Sequence, residues 1–167
     1  NPRGSRYVAE APGGVPGYEW SSKYGFVGVT WAADSPGVYD DGLNEHGLSV
    51  AQNQLDETVY PPVTDPSRAV GMRSVVAWLL GSAANVTEAR TLLASSGVQV
   101  WGRAGGGPGG DAGAERQHLH LLDAAGDSLL AEWTHGVGPR LYGKAEGAWR
   151  TTSELRRWRS ARGVWAQ

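Results

Sequence analysis

Two segments with helical patterning lie side by side in the middle of the chain, with extended segments before and after them, and that order limits the fold more than any other feature. Asp65-Pro66-Ser67 is a helix start, because Asp or Ser accepts from the orphan N–H groups of a first turn and proline tolerates that position. The spacing then predicts a helix over 68–82, with Val70, Val75, Val76, Leu79 and Leu80 mostly on one stripe and Gly81 at its end. Asn85-Val86-Thr87-Glu88 offers a capping residue for a second helix over 89–94, which Gly97 stops. The two read as an antiparallel pair.

Residues 1–22 are rich in Gly, Pro and Ser and read as extended or loop. Phe26-Val27-Gly28-Val29-Thr30-Trp31 has the β-branched and aromatic character of a strand, closed by Asp34-Ser35-Pro36-Gly37. A second strand is expected through Val38-Tyr39, then a polar turn over 40–47 and a strand over 48–55. After the helices, Val98-Gln99-Val100-Trp101 enters a glycine-rich loop, 102–113, which lacks the Lys-Ser or Lys-Thr of a phosphate cradle. From His118 the pattern alternates, turns at Asp123-Ala124-Ala125-Gly126-Asp127 and returns through Ser128 to Thr134 as a hairpin, with a short strand at Arg140-Leu141-Tyr142. Strands, two helices, then strands argue an α+β fold with helices packed on a sheet, not alternating βαβ units.

At 167 residues and 40% apolar content the chain suits one core. Fifteen basic against seventeen acidic residues leave a charge of -2, too weak a field to select nucleic acid or an anionic membrane, so neither partner is expected. No apolar run approaches the roughly eighteen residues of a membrane span, and Asn1-Pro2-Arg3-Gly4 does not have the build of a secretory signal. The compartment, cytoplasmic or exported, stays open. Cysteine is absent, which excludes disulfides, thiolate metal sites and any thiol nucleophile within these residues. The eight Trp read as core and interface filling.

His118 and His120 sit two apart on a strand and face the same side, a geometry that supplies two metal ligands. No third ligand stands at a supporting spacing, so a surface or cross-strand contact is the expectation and no metal is assigned. Asp40, Asp41, Asn44 and Glu45 lack the ligand pattern of a calcium loop, and no Gly-x-Ser-x-Gly elbow supports a serine triad.

Four stretches carry a resemblance. Asp41-Gly42-Leu43-Asn44-Glu45-His46-Gly47-Leu48, with Lys23-Tyr24-Gly25 upstream of it, is similar to a turn of the choloylglycine hydrolase and penicillin V acylase family. Asp65-Pro66 with the helix ending Val76-Ala77-Trp78-Leu79-Leu80-Gly81, and Asn85-Val86-Thr87-Glu88-Ala89-Arg90, resemble its paired helices. The hairpin through Leu119-His120-Leu121-Leu122-Asp123, with Glu132 on the return strand and Tyr142 beyond, fits as well. The match runs over about 2–147, which predicts the central part of one domain there and a divergent, basic, Trp-rich tail at 148–167.

The resemblance implies the αββα sandwich of N-terminal-nucleophile (Ntn) hydrolases, two antiparallel sheets packed face to face between helical layers. It also implies hydrolysis of linear amide C–N bonds in small N-acyl amides such as conjugated bile salts, penicillin V or acyl-homoserine lactones, with no cofactor. In such chemistry an N-terminal Cys attacks the amide, its own α-amino group is the base, and a thioester forms before water releases the acid. That Cys and the nearby Arg and Asp of the family lie upstream of its Pro-Arg segment, which appears here as Pro2-Arg3, so the chain is expected to be an internal piece and inactive as given. One oxyanion donor maps by gapless counting onto Gln54, with Asn53 adjacent and chemically closer to the family's Asn. The second falls on Thr151 or is lost. The acyl pocket is implied at Ala32, Ala33 and Trp101. The alternative is a degenerate, non-catalytic homologue binding a small acyl ligand or a partner chain, and a homo-oligomer or a complementing chain carrying the nucleophile are further expectations.

Overall fold

A computed structural model describes residues 1–30, 37–103 and 115–143. Strand β1 (Arg6–Ala11) and β2 (Val15–Ser21) form a hairpin in the stretch whose Gly, Pro and Ser content predicts extended chain or loop. Pro12-Gly13-Gly14 supplies its turn, and β1 alternates exposed and buried residues as a one-sided strand should. Strands β3 (Phe26–Val29), β4 (Asp41–Asn44), β5 (Ser49–Gln54), β8 (Gln117–Leu122), β9 (Ser128–Glu132) and β10 (Arg140–Gly143) make a six-stranded antiparallel sheet in the order β10-β9-β8-β5-β4-β3. Between β5 and β8 run β6 (Ala69–Gly71), the helices α1 (Met72–Ser82) and α2 (Val86–Ser95), and β7 (Gln99–Trp101).

The two largest departures from the sequence expectation are at the first helix and at β4, while α2 starts three residues early, at Val86. The first helix begins at Met72, not at 68: Asp65 caps only a short 3-10 turn, Pro66–Arg68, by accepting from the Ser67 N–H at 3.0 Å. Ala69–Gly71 then pairs in parallel with Gln99–Trp101. A parallel pair needs a crossover, which the two helices provide, and Val70 is thereby a strand residue, not part of a helical stripe. The second difference is β4. The expected strand at Val38-Tyr39 is displaced to Asp41–Asn44, and the turn shrinks to Glu45-His46-Gly47, with Gly47 at φ +85°. A glycine-containing tetrapeptide works as a strand here because a Cβ on Gly42 would collide with the Leu80 side chain of α1.

Register assigns the faces. Val50 and Gln52 of β5 stand beside Leu121 and Leu119 of β8, which stand beside Leu129 and Ala131 of β9; this is the face under α1. In α1 every residue from Val75 to Gly81 is buried, because the helix lies between the sheet and the β2, β6 and β7 strands. Each large apolar side chain buried there contributes about 1.5–3 kcal/mol. The opposite face carries Val27, Val29, Leu43 and Leu122, exposed by 68, 67, 48 and 50%. One antiparallel sheet with helices on one face, and on the other a mix of these exposed apolar residues with polar ones such as Asp41, Asn53 and His120, is half of the expected αββα sandwich. Among the described residues no helix is long and apolar enough to cross a membrane.

Candidate active site

The turn that carries the resemblance is a structural knot. Asn44 is buried, and its Nδ2 donates to the carbonyls of Leu80 (3.0 Å) and Ala83 (2.7 Å), the end of α1, while its Oδ1 accepts from the His46 and Leu48 N–H groups at 3.0 Å each. Helix C-termini leave carbonyls without intrahelical partners, and an asparagine amide satisfies two of them here. The Lys23 and Tyr24 N–H groups complete the cap by donating to the Gly81 carbonyl at 2.7 and 3.1 Å. Glu45 Oε1 accepts from the Gly25 N–H at 2.7 Å and from Arg3 Nε at 2.6 Å. These bonds hold the Glu45 carboxyl below its ordinary range, Arg3 first and the Gly25 N–H second, while the same partner raises Arg3. Tyr24 packs edge-on against His46 with centroids 4.5 Å apart. The segments at 2–3, 23–25 and 41–48, which carry the resemblance, touch one another.

The candidate oxyanion donors lie at the far end of β5. Asn53 and Gln54 are both exposed, opposite His118 and Gln117 of β8. Alternation puts Asn53 on the face away from α1, with Ala51 and His118, and Gln54 on the other side. The Gln54 amide donates to Asp56 Oδ1 at 2.8 Å. Gln52, the third amide of the run, is buried, and its Nε2 donates to the Tyr39 carbonyl (3.2 Å) and Asp40 Oδ1 (2.8 Å). Gln52 is one of three amides in succession, and nothing in that run sets it apart from its two neighbours.

Trp101, at the end of β7, is half-buried, and its indole N–H donates to the Glu10 carbonyl at 2.9 Å. Beside it Arg103 pairs with both oxygens of Glu10 (2.6 and 2.8 Å), and Arg73 pairs with Glu115 at 2.6 Å. The route from Trp101 to β5 runs through Gly102, against which the Tyr60 ring lies, and then through the Tyr60 hydroxyl, which donates to the Gln117 carbonyl at 3.2 Å. Gln117 is the register partner of Gln54. Burial pushes the Tyr60 hydroxyl up, so it stays a neutral donor at ordinary pH. Trp101 and Gln54 are thus joined through Tyr60 and Gln117, while Asn53 faces the other side of the sheet. Ala32, Ala33, Thr151 and the tail at 148–167 lie outside the described residues.

On β8 the His118 and His120 rings do share one side, with Nε2 atoms 2.8 Å apart. Among the described residues no group of three or more His, Cys, Asp or Glu converges as a metal-binding set.

Comparison with known proteins gives a consistent result. Residues 12–137 match the model of the linear amide C-N hydrolases, choloylglycine hydrolase family. A curated penicillin V acylase from Pectobacterium atrosepticum is 32% identical over 124 residues, covering 71% of this chain and 32% of the relative. Among solved structures, penicillin V acylase from Agrobacterium tumefaciens superposes with a TM-score of 0.67 at 28% identity, over 85% of this chain and 39% of that one. Conjugated bile acid hydrolase from Clostridium perfringens superposes with TM-scores of 0.62 and 0.63 in two variants, at 20% identity, a likeness of fold. The chain spans about a third of the length of the curated relative it matches.

Proposed function

Because the chain belongs to the choloylglycine hydrolase family of linear amide C-N hydrolases, we propose that the protein it represents hydrolyses the amide bond of small N-acyl amides, of the class that penicillin V and conjugated bile acids exemplify. The observation that carries this is the match over residues 12–137, reinforced by the mutual contacts of the segments at 2–3, 23–25 and 41–48. In this reading residues 1–167 supply scaffold and part of an oxyanion site. Asn53 is the favoured donor, since it stands at the sheet end on the face away from the helices, whereas Gln54 already donates to Asp56. An amide N–H aimed at the developing oxyanion is worth on the order of a hundredfold in rate. Thr151 is the second candidate donor, and Ala32, Ala33 and Trp101 are candidate walls of the acyl pocket.

No cysteine occurs in the 167 residues, so the attacking thiol of the reaction is not among them and the isolated chain is expected to be inactive. Purified residues 1–167 should release no product from penicillin V or from an N-acyl p-nitroanilide, whereas a longer product of the same gene carrying an N-terminal Cys should, with Asn53→Ala lowering its kcat about a hundredfold. Turnover by residues 1–167 alone would overturn the inactivity. A longer product that carries the Cys and folds, yet turns over none of these amides, would overturn the amidase reading.

The second reading is a non-catalytic homologue that binds an acyl ligand or a partner chain, for which the cavity of about 240 Å³ beside His120, lined largely by Ala51, Leu122 and Leu130, offers an apolar wall. Saturable binding of penicillin V without turnover by the complete gene product would establish it. For isolated residues 1–167 the exposed Val27 and Val29 on edge strand β3 are expected to drive self-association or pairing with a complementing chain. Sedimentation showing a clean monomer at high concentration would count against that.

A further inference from the structure

We propose that Gln52 is a positioning residue: its side chain fixes the end of β5 that carries Asn53, and with it the aim of the oxyanion donor. This role rests on the amide hydrolysis proposed above and on Asn53 as its donor. The two sides of β5 are held unequally. Along β8 the pairing runs to the end of the strand, with Asn53 opposite His118 and Gln54 opposite Gln117. Along β4 it stops at Ala51, opposite Asp41. Past that point Gln52 supplies the ties. Its N–H donates to the Asp40 carbonyl at 2.9 Å, and its Nε2 donates to the Tyr39 carbonyl at 3.2 Å and to Asp40 Oδ1 at 2.8 Å. The side chain thereby continues the β4 side of the ladder where strand pairing has ended.

The segment that Gln52 grips is itself anchored. The Tyr39 N–H donates to the carbonyl of Arg73 in α1 at 3.3 Å, and its hydroxyl donates to Asn1 Oδ1 at 3.1 Å. Its ring meets Phe26 edge-on with centroids 5.8 Å apart and covers Gly28 so closely that a Cβ there would collide with it. The chemistry of the grip selects an amide. A carbonyl and a carboxylate only accept, so the NH₂ half of Gln52 must face them. Oε1 is then left buried, with no hydrogen-bond partner among the described residues. A buried acceptor without a partner costs stability, and such costs gather where a group is held for function. The function at hand is aim, since misplacing a catalytic group by about 1 Å costs on the order of a hundredfold in rate.

A double-mutant cycle in the longer, cysteine-bearing gene product tests this, with penicillin V as substrate. Gln52→Met keeps most of the side-chain volume and removes both donors, and should lower kcat about tenfold with KM changed less than about twofold. In the Asn53→Ala background the same replacement should cost less than about twofold, because an amide that is gone cannot be misaimed. A merely structural residue would lower kcat equally in both backgrounds. Equal losses, or full kcat in Gln52→Met, would overturn the proposal. Should Gln52→Met fail to fold, Asp40→Ala removes one end of the grip at a half-buried position and should show the same dependence on Asn53. Amide hydrogen exchange on residues 1–167 reads the positioning without turnover: Gln52→Met should speed exchange at Asn53 about tenfold and leave the turn at 44–48 unchanged. Unaltered protection at Asn53 would overturn the proposal as well. An unmodified longer product without turnover overturns the amidase reading and this role with it; failure of the role alone leaves that product active and its Gln52→Met variant equally so.

Discussion

The turn at 41–48 and the far end of β5 belong to the same antiparallel ladder, yet they use polar side chains in opposite ways. At the turn all of the amide's hydrogen-bonding capacity on Asn44 is engaged, and Glu45 ties two further segments. At the other end Asn53 and Gln54 stand in solvent, one with a single side-chain bond to a neighbour two residues on. The residues that carry the resemblance therefore hold the sheet to the helix, and those proposed for the chemistry are held by little except the backbone. The turn at 41–48 carries architecture, and the proposed site lies at the opposite end of β5.

The largest effect should come from Asn44→Ala. It strands two helix-end carbonyls and two N–H groups in a buried place, and buried polar groups left unpaired cost about 1–3 kcal/mol each, partly offset by relaxation and water. A loss of about 3 kcal/mol in urea unfolding is expected. A loss below about 1 kcal/mol would erase the contrast between the two regions. Gly42→Ala comes next at about 2 kcal/mol, because the new methyl meets Leu80 in a filled core. Gly47→Ala should cost about 1–2 kcal/mol, since φ of +85° is a left-handed conformation that a side chain resists.

How much of this was legible in the sequence depends on how local the determinant is. Helix α2 was readable because Asn85 caps it through the Glu88 N–H at 2.9 Å, three residues away. The β8-β9 hairpin was readable because Asp123 folds its own turn, accepting from the Ala125 and Asp127 N–H groups at 3.0 Å. Strand β6 was not, since Ala69–Gly71 is a strand only by virtue of Gln99–Trp101 across the helices, and Val70 fits a helical stripe equally well. Strand β4 was misplaced for a related reason: Gly42 needs Leu80 above it and Asn44 needs the α1 carbonyls before either makes sense inside a sheet. For the site, resemblance supplied the neighbourhood, Asn53 or Gln54, but the face each occupies follows only from the pairing with β8. Nothing local distinguished Gln52, whose burial depends on Tyr39 and Asp40.

A smaller effect separates the regions through pH. The depressed Glu45 pKa means that the folded chain binds that proton less readily than the unfolded chain, so its contribution is present above the ordinary glutamate range and is lost as pH falls through the lower folded value. Between pH about 6 and pH about 3, Glu45→Gln should flatten part of the acid-side decline in the urea midpoint. Identical slopes for the two proteins would show that the Arg3 and Gly25 contacts contribute nothing in solution.

The smallest effect is the most telling. Asn53→Ala and Gln54→Ala should each leave the unfolding free energy of residues 1–167 within about 0.5 kcal/mol, as substitutions at exposed positions do. Asparagine and glutamine are poor strand formers beside the Val, Ile and Thr that pleated edges favour, so alanine has little to lose there. A site held for chemistry and not for stability has this profile: expensive in the complete enzyme and nearly free in the scaffold. If Asn53→Ala instead costs more than about 1.5 kcal/mol, its amide bonds the sheet as Asn44 bonds the helix, and the oxyanion role would pass to Gln54, whose tie to Asp56 is solvent-exposed and readily exchanged.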